Sequence, residues 1–185
     1  MHIKMKTKNL ILAAVLSLSF ISCKNDGKEN KEDEPKAEVK QNFSIDLDVI
    51  TPIEDNFAIY YTEDNTNNFT GEKAIWGGLK AQPQSQHVTF NLPEEIIPTH
   101  IRIDFGINNN QGDVILERFK MSYYGNTFES KGSDFLKYFL KNDSVKTEID
   151  DIKGTIKFLK NPKKYYTPFY YPDRTMLDEI KTITK

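Results

Sequence analysis

Histidines and paired acids are the residues in this sequence that could carry acid–base chemistry. After residue 22 there are two histidines, His87 and His100, and each lies beside an expected strand with no carboxylate at the spacing of a helical metal site. Glu94-Glu95 and Asp150-Asp151 are adjacent pairs of acids. Neighbours in a strand point to opposite faces of a sheet, so adjacency does not give either pair the arrangement that hydrolyses a glycosidic bond.

Motifs for nucleophilic or metal-dependent catalysis are also missing from the sequence. It contains no Gly-x-Ser-x-Gly and no His-Glu-x-x-His, and its nine glycines form no phosphate-binding loop. We therefore expect no catalytic residue, no metal and no other cofactor, and we expect that the protein is not an enzyme. A hydrolase that uses scattered carboxylates is the alternative.

Aromatic residues indicate binding instead. The sequence has 12 Phe, nine Tyr and one Trp, and a ring can stack on the flat face of a sugar while Tyr or Trp keeps its polar tip in water. Trp76 lies beside Gly77-Gly78, where little would cover its ring, and Tyr60 points away from Phe57. We predict that Trp76 and Tyr60 are ligand-binding residues. The alternative is that such rings pack in the core or, for the aromatic cluster at 165–171, against a sheet edge.

The elements that must position these residues are mostly strands. Four apolar residues between Phe43 and Val49 alternate with polar ones, and this period of two places them on one face of a strand. Turn residues separate five further segments of this kind, which are 57–61, 74–79, 88–92, 101–105 and 114–123. The last segment stays in phase only if one extra residue lies near Glu117-Arg118, which predicts a β-bulge. Six or more short strands, each with one wetted face, predict a mainly β fold, an antiparallel β-sandwich.

Two segments have helical spacing and predict one or two short helices. Ser133 is a plausible N-cap for a helix with apolar residues on one face. These residues are Phe135, Leu136, Phe139 and Leu140. A second helix is predicted over Pro172–Ile183, docked on the edge of the sandwich. Between the two, residues 145–158 have the pattern of a hairpin that turns near Lys153-Gly154.

The strand pattern from Ile101 to Tyr123 resembles that of jelly-roll modules in carbohydrate-binding and envelope proteins. The resemblance implies a jelly-roll-like sandwich that acts as a non-catalytic binding module. Its partner would be a glycan or another protein of the envelope. The alternative is a structural or assembly accessory of an envelope complex, without a small ligand.

The N-terminus has the pattern of an export signal. Three lysines precede Leu10–Ile21, a run of 12 residues without a charge, which is shorter than the roughly 20 apolar residues of a membrane-spanning helix. The boundary Phe20-Ile21-Ser22-Cys23 resembles the lipobox of bacterial lipoproteins. That resemblance implies cleavage before Cys23 and lipidation of Cys23, the only cysteine in the chain. The alternative is a soluble secreted protein with a free thiol.

The sequence therefore divides into three parts. Residues 1–22 are the expected lipoprotein signal peptide, 23–40 a disordered charged tether, and 41–185 a single β-sandwich domain with a C-terminal helical and aromatic extension. Eleven of the 17 residues from 24 to 40 are charged, so this stretch cannot bury enough apolar surface to offset its chain entropy. Its acids resemble the surface-export signals of Bacteroidota lipoproteins. We expect a lipid anchor in the outer membrane, on the periplasmic face or at the cell surface.

Charge excludes one class of partner. Removal of residues 1–22 takes away three lysines and no acid, which leaves 22 basic and 27 acidic side chains and a net charge near −5. A nucleic-acid-binding protein would show a basic face, so we expect no nucleic acid. Asp143-Ser144-Val145 resembles the O-glycosylation site of Bacteroidota proteins, which makes Ser144 a candidate for glycosylation.

Overall fold

The computed structural model describes residues 41–141, 147–158 and 167–185, all within one compact unit. The predicted Cys23 anchor, the tether and Ser144 lie outside the described residues. The fold is mainly β, with two antiparallel sheets and one short α-helix, which confirms the predicted sandwich class. In the described ranges, no helix combines the length and the apolar character that crossing a bilayer requires.

The strands have a simple order within each sheet. In chain order they are β1 (Ser44–Thr51), β2 (Asp55–Thr62), β3 (Ala74–Leu79), β4 (Gln82–Asn91), β5 (His100–Asp104), β6 (Val114–Tyr123), β7 (Asn126–Lys131), β8 (Phe139–Lys141), β9 (Thr147–Asp150), β10 (Thr155–Phe158) and β11 (Phe169–Pro172). The first sheet has the order β4-β1-β6-β10-β9, and β7 also pairs with β6. The second sheet has the order β3-β2-β5-β11-β8.

The inward faces of the two sheets form one hydrophobic core. Leu47 from β1, Ile59 from β2 and Ile103 from β5 are fully buried, as the period of two predicts. Phe119 of β6 contacts Phe139 of β8 across the sheets, with ring centroids 5.5 Å apart and nearly perpendicular. Truncation of a phenylalanine in such a core costs about 3–5 kcal/mol.

The predicted bulge in β6 is confirmed. Asp48 of β1 pairs with Arg118 while the next residue, Val49, pairs with Leu116, so Glu117 is the extra residue. Both Leu116 and Phe119 are therefore buried. The bulge also places Arg118 on the outward face, beside Asp48.

The prediction of a helix that begins at Ser133 is wrong. Lys131 precedes a 3₁₀ helix at Gly132–Lys137, and β8 follows it. Phe135 and Phe139 are buried and stacked, with centroids 4.5 Å apart, while Leu136 and Leu140 are exposed. Buried residues four apart fit a helix and also a period of two. The pairing of Phe139–Lys141 with β11 supplies the backbone hydrogen bonds that decide between them.

The C-terminal hairpin and helix are both present in the described residues, although the helix begins at Arg174 and not at Pro172, which ends β11. The hairpin of β9 and β10 turns at Asp151–Gly154. The α-helix α1 covers Arg174–Ile183, and Asp173 caps it by accepting a hydrogen bond from the Arg174 backbone N–H at 2.6 Å. Met176 and Ile180 are buried. The helix contacts β6 and β7 of the first sheet and β11 of the second, so it closes one side of the sandwich.

Candidate functional site: an aromatic face on the second sheet

The outward face of the second sheet carries both predicted ligand-binding residues. In the strand register, Ala58 of β2 pairs with Trp76, and Tyr60 pairs with Ala74 and with Arg102 of β5. Paired residues of antiparallel strands point to the same side of the sheet. Because Phe57 and Ile59 point into the core, Trp76 and Tyr60 point outward.

Trp76 and Tyr60 contact each other. Their ring centroids lie 6.4 Å apart with planes at 69°, an edge-to-face arrangement. Trp76 is 50% exposed and Tyr60 is partly buried. The neighbours of Trp76 on this face are small: Ala58 across the strand pair, and Ala74 and Gly78 two residues away along β3. Part of the indole therefore remains open to a ligand.

Arg102 lies among the rings. Its guanidinium carbon is 4.0 Å from the ring centroid of Tyr60, 4.8 Å from that of Phe169 and 5.6 Å from that of Phe69. These distances are typical of cation–π contacts. We call the outward set Tyr60, Phe69, Trp76, Phe169 and Tyr171, with Arg102 between them, the aromatic face.

Asp104 neutralises Arg102. The arginine donates from Nε to Oδ1 at 2.8 Å and from Nη2 to Oδ2 at 2.9 Å, a bidentate pair between residues two apart on β5. Burial raises the pKa of Asp104 above its usual value of 3.8, and the hydrogen bonds from Arg102 oppose that rise. The charge of Arg102 is therefore matched at short range, although its planar group still covers the rings.

The C-terminal aromatic cluster divides between two roles. Phe169 and Tyr171 of β11 belong to the aromatic face, where Tyr171 contacts Phe169 at 5.3 Å and stacks on Phe69 at 5.8 Å. Tyr170 is buried, and its hydroxyl lies 2.7 Å from Thr147 Oγ1. Burial raises the pKa of Tyr170 to about 12. Tyr170 therefore packs in the core, which was one of the alternatives to ligand binding, and β11 lies between β5 and β8 in its sheet. Tyr165 and Tyr166 lie outside the described residues.

The outward face of the first sheet is polar instead. Asp48 Oδ1 lies 2.7 Å from His87 Nδ1, and Asp48 Oδ2 accepts from Arg118 Nε at 2.5 Å. On the other side of the imidazole, Thr89 Oγ1 lies 3.1 Å from Nε2 and donates to Asp46 Oδ1 at 2.5 Å. We call these five residues the polar face. The hydrogen bond to Arg118, followed by that to His87, holds the pKa of Asp48 below its usual 3.8, against the effect of burial.

The polar face resembles a hydroxyl–imidazole–carboxylate relay in outline only. A nucleophilic hydroxyl must give its proton to the imidazole, but Thr89 directs its proton to Asp46. Among residues 41–141, 147–158 and 167–185, no group of three or more His, Cys, Asp or Glu could hold a metal ion. These contacts make the face a set of cross-strand pairs that stabilise the sheet.

The other acid and histidine candidates lie apart from both faces. Glu94 and Glu95 are exposed in the loop before β5. Asp150 accepts hydrogen bonds from the backbone N–H groups of Ile152 and Lys153 at 3.0 and 3.2 Å, so it shapes a turn. His100 contacts Thr99 at 3.3 Å, and burial lowers its pKa.

A groove of about 470 Å³ lies on the first sheet, beyond the polar face along β1. Its lining is Ile50, Pro52, Ala81, Gln82, Pro83, Asp113, Ile115 and Thr155. None of these residues is aromatic, so the groove offers apolar volume without a surface for ring stacking. The predicted residues Trp76 and Tyr60 are not among them.

The sequence did not identify Arg102 and Asp104 as candidate site residues. Their alternation with Ile101 and Ile103 placed them on the wetted face of a strand, but Tyr60 and Phe169 join them only through the strand register. Comparison of the chain with protein-family models, curated proteins and solved structures gives no match.

Proposed function

We propose that this protein is a lipid-anchored envelope lipoprotein whose β-sandwich binds a glycan through the aromatic face, without catalysis. The observation that carries the proposal is the half-exposed ring of Trp76 beside Tyr60 on the outward side of a sheet. A sugar presents an apolar face for stacking and a rim of hydroxyl groups. The rings supply the stacking surface, and the pairing of β2 with β3 positions Trp76 and Tyr60 side by side.

The N-terminal sequence supports the proposed location at the membrane. The basic N-terminus, the short apolar run and the lipobox-like boundary fit an export signal that ends at Cys23. Bacterial lipoproteins carry several acyl chains, and more than one chain is needed for stable anchoring. On this proposal, the charged residues 24–40 connect the outer membrane to the sandwich.

Binding by the full chain in detergent micelles tests the glycan proposal. Trp76→Ala should weaken binding to a retained glycan at least tenfold, because the stacking surface is lost, and Trp76→Phe should keep part of it. Tyr124→Ala is the matched control, since Tyr124 is 59% exposed and lies in the turn between β6 and β7, away from the aromatic face. Equal binding by the wild type and Trp76→Ala would exclude the aromatic face. Capture of an envelope protein in place of any glycan would favour an assembly role.

The anchor has its own test. Metabolic labelling with a palmitate analogue should mark the wild-type protein and leave Cys23→Ser unmarked. Label on the serine variant would show that position 23 is not the lipidated residue. In a separate test, protease treatment of intact cells should cleave the protein if it lies at the cell surface and leave it intact if it lies on the periplasmic face.

A further inference from the structure

We propose that Gly78 and Asn56 complete the site beside Trp76 and that together they select a neutral pyranose sugar. This inference rests on the proposed glycan-binding function. It names two residues outside the aromatic face, and it names the chemical class of the ligand.

Gly78 is not explained by the fold. Its neighbour Gly77 points into the core, where an added Cβ would lie 2.6 Å from Val88 Cγ2 and 2.8 Å from Phe90 Cε1, so only glycine fits. At Gly78 an added Cβ would meet only Asn56 Oδ1, at 3.4 Å, and the backbone has no positive φ. Glycine weakens a strand interior, and an unexplained one often marks the close approach of a ligand.

The position of Gly78 makes it a gap next to the stacking ring. It lies two residues from Trp76 on the same outward face, which is about 6.6 Å along the strand. It pairs directly with Asn56 on β2. A sugar stacked on Trp76 can therefore lie flat over the bare backbone and reach Asn56, whereas a side chain at 78 would occupy that space.

Asn56 supplies the polar contact. Its backbone N–H donates to Asp55 Oδ1 at 2.8 Å. In the part of the chain that the structure describes, its exposed side-chain amide forms no hydrogen bond. An amide offers two N–H donors and a carbonyl acceptor, and a sugar hydroxyl can both donate and accept. One asparagine can therefore recognise a pair of neighbouring hydroxyls.

The electrostatics of the aromatic face favour a neutral sugar. Arg102, the cation among the rings, has two of its nitrogens bound to the buried Asp104, and no net charge is left to attract a carboxylate. The mature chain is acidic, with a net charge near −5, so a polyanionic glycan would be repelled. Uncharged hydroxyls can bind to the Asn56 amide without this penalty.

The test compares variants of the full chain in detergent on immobilised β-glucan, mannan and xylan, with alginate and polygalacturonate as acidic probes. The wild type should retain a neutral polysaccharide. Gly78→Val should weaken that binding at least tenfold by filling the gap. Asn56→Ala should weaken it about two- to tenfold, the range for one lost hydrogen bond. Thr127→Val, an exposed change on β7 of the first sheet, should bind like the wild type.

The outcomes separate the two proposals. If Gly78→Val and Asn56→Ala bind normally while Trp76→Ala does not, the added residues are wrong and the aromatic face stands. Preferred binding to alginate or polygalacturonate overturns the neutral class. Normal binding by Trp76→Ala, or no retention of any polysaccharide by the wild type, overturns the proposed function itself. Valine is favoured in strands, and melting curves with Gly78→Ala as a smaller change detect any loss of folding.

Discussion

The outward faces of the two sheets are both built on antiparallel strands, but one carries polar side chains that bind one another and the other carries aromatic rings. On the polar face, Asp48 is held between His87 and Arg118, and Thr89 binds Asp46. On the aromatic face the rings are partly open, and beside it the Asn56 amide has no partner in the described chain. Polar groups that satisfy one another have little to gain from a ligand. A surface that keeps open rings beside a free amide retains that capacity.

Each face also contains an arginine–aspartate pair, and the two pairs differ in burial. Arg102 binds Asp104, whose side chain is 5% exposed, whereas Arg118 binds Asp48, whose side chain is 23% exposed. The pKa of Asp104 is raised by burial, and the pKa of Asp48 is lowered by its hydrogen bonds. Two arginine–aspartate pairs with short hydrogen bonds therefore shift the pKa of the aspartate in opposite directions, because only Asp104 is deeply buried.

Removal of the two arginines should give the largest contrast in stability. Arg102→Met should lower the free energy of unfolding by about 3–5 kcal/mol, because it leaves the Asp104 carboxylate buried and unpaired. Arg118→Met should cost about 1 kcal/mol or less, since water can solvate Asp48. Urea denaturation at pH 7 measures both. Equal losses would show that the two faces do not differ in burial as described.

The pH dependence of stability should have opposite signs on the two faces. Asp48 has a lowered pKa, so its contribution is present above pH 3.8 and is lost as the pH falls further. Asp104 has a raised pKa, so charging it costs stability as the pH rises above 3.8. Asp48→Asn should flatten the profile below pH 3.8, and Asp104→Asn should flatten it just above. Thermal melts across pH 2–7 check this, and an unchanged slope in either variant contradicts the corresponding assignment.

Changes in the groove and on the polar face should have the smallest effect on glycan binding. Ala81→Arg partly fills the groove with an exposed side chain, and His87→Gln interrupts the polar face. Both variants should change glycan affinity less than twofold, because neither touches the aromatic face. Titration with the retained oligosaccharide measures the ratio. A tenfold loss in Ala81→Arg would move the binding site to the groove.

The sequence predicted the parts of this fold that depend on local pattern. The alternation of apolar residues located β1 and β2, and the phase shift at Glu117 located the bulge. The same alternation placed Tyr60 outward, whereas the exposure of Trp76 was predicted from its neighbours Gly77 and Gly78. The polar face was missed because Asp48 and His87 are 39 residues apart and meet only through strand pairing. The prediction of a helix at Ser133 was wrong because the pairing of β8 with β11 overrides the helical spacing of the apolar residues.

The consecutive glycines of β3 have a consequence for how variation in this chain should be interpreted. Gly77 faces the interior and Gly78 faces solvent, so packing constrains Gly77, whereas only the proposed ligand would constrain Gly78. In a saturation library, substitutions at Gly77 would lower the abundance of the protein. On the proposed function, substitutions at Gly78 would leave abundance unchanged, and these variants would be depleted only among cells sorted for polysaccharide capture.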